Sequence, residues 1–210
     1  MGAGCCGGSP QFDGMSRDYR NRLIAVIAIN TVMFVVEMTA GRLAGSQALQ
    51  ADALDFLGDA ATYGLSLAVI GQPLRLRATA ALVKGVSLLL MGLFVLGSTL
   101  IQVFILETPR AEVMGVIGFL ALAANLLSVA LLVSYKDGDA NVRSVWLCSR
   151  NDAIGNVAVM LAALGVWGAA TAWPDLIVAA LMASLFLSAA MEILRSAWAE
   201  RREAAQPSRI

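Results

Sequence analysis

Asp52, Asp55 and Asp59 stand at i, i+3 and i+7 in "ADALDFLGDAA" (Ala51 to Ala61), and Cys148, Asp152 and Asn156 stand at i, i+4 and i+8 in "WLCSRNDAIGN" (Trp146 to Asn156). Side chains so spaced lie along one face of a helix. Carboxylates and a thiolate are donors for a divalent metal. Four O and S atoms suit a tetrahedral d¹⁰ ion such as zinc, at roughly 2.0–2.3 Å from each donor. A thiolate favours softer ions, zinc and cadmium, over magnesium and calcium, whereas carboxylates keep manganese, iron(II) and cobalt open. The chain has no histidine, so no imidazole narrows that choice. A single polar residue in such a place reads as glue between helices through hydrogen bonding. Three carboxylates and a thiol, in two i, i+4 pairs, exceed what glue requires.

The elements that must carry these residues are apolar. Of 210 residues, 59% are hydrophobic and 14% charged, against about 25% charged in a soluble domain. The expected fold is all-α, with six transmembrane helices at about 22–43, 48–71, 78–106, 112–135, 142–170 and 174–197, each near the ~20 residues that cross a bilayer. The breaks "GRLAGSQ", "GQPLRLR", "LETPRAE", "KDGDANVR" and "TAWPD" carry turn or charge signals. The chain divides into an N-terminal tail (1–20), a transport domain (21–198) and a short C-terminal tail (199–210). Arg17, Arg20, Arg22, Arg75, Arg77, Lys136, Arg143, Arg195, Arg201, Arg202 and Arg209 fall on one side of that layout and only Arg42 and Arg110 on the other. Both termini are therefore expected in the cytoplasm.

The start of the chain lacks the basic-then-apolar layout of a cleavable signal, so Leu23 onward is read as a retained span. The formal net charge is zero with no basic patch, and nothing points to nucleic acid. Three cysteines are too few for a disulfide framework. Cys5 and Cys6, adjacent in a Gly-rich tail, are either incidental or a capture point for a thiophilic metal. "MGAGCC" matches a myristoylation start only loosely, since Ser or Thr is wanted at the sixth position.

Asp55 and Asp59 lie about 7 to 11 residues in from one end of span 2, and Cys148 and Asp152 about 6 to 10 residues in from the opposite-facing end of span 5. At ~1.5 Å per residue both pairs reach the middle of a ~30 Å core. Antiparallel packing of the two spans would bring the four groups together. "LDFLGDA" (Leu54 to Ala60) weakly echoes "LCSRNDA" (Leu147 to Ala153), each in the middle span of a three-span half, as in transporters built from inverted repeats. Without metal, four negative charges in a poorly solvated place would repel one another, so the empty site is expected to hold protons. A divalent ion must displace them, because ligands bind deprotonated. Competition of metal and protons for the same atoms is the minimum apparatus of an antiporter.

These stretches, with "AGSQALQADALDFLGDA" and "WPDLIVAALMASLFLSAAMEILRSAW", resemble the membrane domain of the cation diffusion facilitators over residues about 20 to 200. The resemblance implies a six-span exporter of zinc or related divalent ions, coupled to proton entry and homodimeric, in a bacterial inner (plasma) membrane. Matched motif to motif, Asp55 and Asp59 fill the metal positions of span 2, and Cys148 and Asp152 those of span 5. The family's span 5 motif begins with His where this chain has Cys148, and its cytoplasmic metal-sensing domain has no counterpart after span 6. The chain is thus read as a short form whose dimer is held by membrane helices. No catalytic residue and no resident cofactor are expected.

Glu37, midway along span 1, is read either as lining the ion path or as the ion-pair partner of Arg150, Glu192 being the other candidate partner. Arg150 lies about 200° around the helix from Cys148 and is expected to face away from the site. Asp52 is either part of the path or the cap of its helix, Asn156 extends the site face, and Lys84 is expected to snorkel. Gly41 and Gly45 suit close helix packing or a turn. A cation channel is the main rival, although four strong ligands would hold an ion too tightly for fast conduction. An intramembrane aspartyl protease using Asp59 and Asp152 would leave the other donors unexplained. A metal sensor working through Cys5 and Cys6 is a third option.

Overall fold

The computed structural model describes residues 16–68, 74–105, 107–136 and 140–203, the side chains of 66, 74–78, 140–148, 197 and 199–203 excepted. Six long helices account for nearly all of it: α1 (Arg17–Ala44), α2 (Gln47–Ala68), α3 (Leu74–Ile105), α4 (Ala111–Leu132), α5 (Ala140–Ala169) and α6 (Trp173–Glu203), with a 3₁₀ turn at Val133–Tyr135. No strand occurs among the described residues, as the all-α expectation requires. Five helical segments are long and apolar enough to cross a membrane: Arg17–Ala44, Thr79–Ile105, Ala111–Tyr135, Ser149–Ala169 and Trp173–Ser196. The expected sixth, α2, has 22 residues, about 33 Å at 1.5 Å per residue. It carries Asp52, Asp55 and Asp59 within any stretch long enough to cross, so length admits it and composition does not.

Helix ends follow local chemistry. Ser16 caps α1 by accepting the Tyr19 N–H at 3.1 Å. At the other end Gly45 takes φ 70°, a left-handed conformation that costs glycine nothing. The Gly45 and Ser46 N–H groups then donate back to the carbonyls of Arg42 (3.3 Å) and Gly41 (2.9 Å), which closes α1 in a Schellman turn. Of the two glycines in "GRLAG", Gly45 is therefore the turn. Gly41 is the packing position, since a Cβ there would lie 3.1 Å from the Gln50 N and the Leu49 Cβ.

The start of α2 is held by Asp175 of α6. Its carboxylate accepts from Ser46 Oγ (2.6 Å), Gln47 N (2.8 Å) and Ala48 N (3.1 Å), and Ser46 Oγ accepts from Leu49 N (3.1 Å). Negative charge at a helix N-terminus satisfies its orphan donors. The reading of Asp52 as that cap is thereby corrected: the first-turn donors already have their acceptors in Ser46 and Asp175.

α1 packs on α2 and α4, α4 on α5, and α2 on α5, giving a four-helix group; α3 pairs with α6, and the pair docks on α2 and α5. Small residues let the pair close, since a Cβ on Gly85 would stand 2.8 Å from the Leu194 side chain and one on Gly92 3.0 Å from that of Leu187. The main apolar core includes Leu49, Met114, Val159 and Phe186. A second cluster of Tyr19, Leu23, Val26, Tyr63 and Leu132 fills the end of the bundle where α1 begins. Large apolar side chains such as Phe104, Trp167 and Leu43 point outward, as they must when the solvent is hydrocarbon.

Candidate metal centre

The α2–α5 contact brings the two acidic faces together. Asp55 and Asp59 on α2 and Asp152 on α5 line one cavity of about 440 Å³, with Lys84 of α3 and Glu192 of α6 also on its wall. The Asp152 carboxyl is within hydrogen-bonding reach of both Asp55 and Asp59. Carboxyl groups that face each other at this range are held together only by a shared proton or a bridging cation. The three aspartates meet pairwise through Asp152; among the described residues no three acids, thiols or imidazoles form a ready-made ligand set. Cys148 lies one turn before Asp152 on α5, and its side chain is outside those described, as are Cys5 and Cys6.

Tyr63, one turn beyond Asp59 on the same face of α2, donates its hydroxyl proton to Asp59 Oδ2. The same hydroxyl is 3.3 Å from Ser149 Oγ of α5, so the donor that orients Asp59 is itself held by the opposing helix. Neither Tyr63 nor Ser149 was expected at the site. The i+4 step from Asp59 to Tyr63 was the available signal.

Asp52, Glu37 and Asn156 are placed apart from the cavity and deep. Glu37 and Asp52 bring their carboxyls within hydrogen-bonding reach of each other, and both are buried. Asn156 is buried one turn beyond Asp152, with neither amide atom hydrogen-bonded. Glu37 thus faces Asp52 and is not the partner of Arg150, which is exposed and donates to Asn151 Oδ1 at 3.4 Å. Glu192 likewise faces the cavity. Lys84, expected to snorkel, lines the cavity, and its charge reaches Asp59. A cation from α3 is therefore already present where a metal would arrive.

Three acids from two helices beside a cavity of this size can hold protons or bind a divalent cation. Comparison with known proteins points the same way. Residues 23–200 match the cation efflux transmembrane domain. The chain is 30% identical over 199 residues to "Zinc transporter ZitB" of Yersinia pestis, covering 88% of this chain and 63% of that protein. It is 32% identical over 198 residues to the protein of the same name in Pectobacterium atrosepticum (87% and 59%), and 30% over 206 residues to that of Escherichia coli strain K12 (89% and 64%). The chain thus spans about 63% of the length of such relatives. With five apolar helices of membrane-crossing length, it is a multi-pass integral membrane protein, and it belongs to the cation efflux family, whose transmembrane domain it carries.

Proposed function

We propose that the chain exports a divalent transition metal, zinc or cadmium, in exchange for protons, through a site formed by Asp55, Asp59, Asp152 and Cys148 between α2 and α5. In this reading α2 is a sixth span, both termini are cytoplasmic, the bilayer is a bacterial inner membrane, and two copies associate through their membrane helices. The supporting observation is the reach of Asp152 on α5 to both Asp55 and Asp59 on α2, beside a cavity that can admit an ion. The relatives' name, zinc transporter, agrees with the donor chemistry. Metal enters as the acids release their protons and leaves as they recover them. The ion and the protons therefore travel in opposite directions.

Metal uptake into inside-out vesicles across a panel of zinc, cadmium, manganese, iron(II) and cobalt tests this. Uptake should saturate and depend on a pH gradient; non-saturating flux would mean a channel. Asp59→Ala and Asp152→Ala should each abolish it. Cys148→His should keep transport and move preference from cadmium toward zinc, and unchanged selectivity would remove the thiol from the ligand set. Parent-like uptake by Asp152→Ala would refute the site.

A further inference from the structure

Glu37 of α1 and Asp52 of α2 are 0% and 1% exposed, so both carboxyls are shut off from bulk water. No N–H or O–H donor reaches either oxygen of Glu37 or Oδ2 of Asp52. Each carboxyl has the other within hydrogen-bonding reach. Two ionised carboxylates so placed would be dehydrated, mutually repelled and without a donor, an arrangement that costs several kcal/mol per ion. A bridging metal ion would need further ligands and room that 0% exposure does not give. A proton needs neither. It converts one acid into the donor that the other lacks.

Among the described residues, no cation is among the charges that act on Glu37 or Asp52. Beyond Asp52, the charge of Asp55 also acts on Glu37. Asp152 of α5 meets Asp55 from across the bundle. Lys84 of α3 and Glu192 of α6 lie at the cavity, around Asp59. Asp175 of α6 is engaged at the start of α2. On α4 the only acid is Glu112, in the first turn, and its buried polar groups are Asn125 and Ser128. From α5 comes Asn156, buried and unpaired, as far beyond Asp152 in the chain as Asp52 is, within one residue, before Asp55.

We propose that Glu37 and Asp52 form a proton site distinct from the metal cavity, holding one shared proton between their carboxyls that is released when a divalent ion binds at Asp55. This coupling rests on the metal reading above. Asp52 and Asp55, at i and i+3, are neighbours on one helix face, with Cβ atoms about 5–6 Å apart. A dication at Asp55 repels the proton and stabilises the carboxylate left behind, so one proton exits to water as two positive charges enter. The seal around Glu37 means that the proton leaves only when α1 and α2 shift apart. Metal binding at Asp55 drives that shift, so proton release accompanies occupation of the metal site.

The test uses the full-length chain in detergent, metal-free at pH 7. Infrared spectra of the parent should contain the C=O stretch of a protonated carboxylic acid that Glu37→Gln and Asp52→Asn each remove. In either variant the new amide donates to the remaining carboxylate and takes over the role of the proton. On addition of zinc chloride with a pH indicator, both variants should release one proton fewer per zinc bound than the parent. Parent-like C=O intensity and proton counts in both variants overturn the proposal. So does a parent spectrum without any protonated carboxyl, which needs no variant to fold. Asp59→Asn separates the two readings: if it binds zinc like the parent the metal site fails, while the infrared comparison still decides the Glu37–Asp52 proton.

Discussion

Removal of one hydroxyl at Tyr63 isolates the orientation of Asp59 from the packing around it. Tyr63 is fully buried and its ring belongs to the cluster of Tyr19, Leu23, Val26 and Leu132, all of which Tyr63→Phe retains. The lost group is the donor to Asp59 Oδ2, which also stands 3.3 Å from Ser149 Oγ. A hydrogen bond to a charged group contributes about 1.5–3 kcal/mol. Because metal binds the ionised carboxylate, that loss should weaken zinc binding by roughly 10- to 150-fold at ~1.4 kcal/mol per decade. Isothermal titration of the purified protein reads the change directly, and the vesicle assay should show it as a raised KM. Tyr63→Phe with Asp59→Asn should be no worse than Asp59→Asn alone, because the hydroxyl acts only through Asp59. Binding by a folded Tyr63→Phe within about twofold of the parent would refute the claim that this hydroxyl positions a ligand.

Three further outcomes follow from the packing. Asp175→Ala removes the acceptor of Ser46 Oγ, Gln47 N and Ala48 N and should cost roughly 3 kcal/mol in chemical unfolding in detergent. Asp175→Asn, which keeps one acceptor oxygen, should lose about half of that. Gly41→Ala should destabilise by about 1 kcal/mol or more, because the nearest atoms include the Gln50 backbone nitrogen, which cannot rotate away. Gly155→Ala, with nothing within 4 Å, should unfold like the parent or later, and equal losses in both would show that α1 and α2 are not in close contact. Lys84→Met removes the ammonium from the cavity wall and should tighten zinc binding roughly tenfold by relieving like-charge repulsion. Weaker binding would assign Lys84 a supporting role at Asp59.

The meeting of the acids was legible where helical spacing alone decides the matter. Asp55, Asp59 and Asp152 share a cavity because i, i+4 pairs on antiparallel helices come to one level, and that follows from the sequence. Partner identity does not. Periodicity turns Glu37 inward, but whether it meets Arg150 or Asp52 depends on which face α2 presents to α1, and Gly41 settles that by admitting Gln50 and Leu49. Lys84 depends on the same packing: its place near the start of a span suggests snorkelling, and the pairing of α3 with α6 puts it on the cavity wall that holds Asp59. Tyr63 drew no reading from the sequence, and its ring belongs to the core. Its ring and its hydroxyl serve different ends.

The acids that set α2 apart from the other helices also dictate its place in the bundle. A charged side chain facing lipid costs several kcal/mol, and α2 carries three carboxyls on about two turns. It can lie at membrane depth only if other helices cover that face, and α1, α3, α5 and α6 all pack against it. The cover is uneven. Asp52, toward α1, is sealed, whereas Asp55 and Asp59, toward α5 and the α3–α6 pair, are half-buried beside a cavity. One helix face therefore grades from a sealed level to a level open to a cavity, the first suited to the proposed proton and the second to the proposed ion. In the proposed exchange, α2 trades one for the other by changing which of its neighbours it leans on.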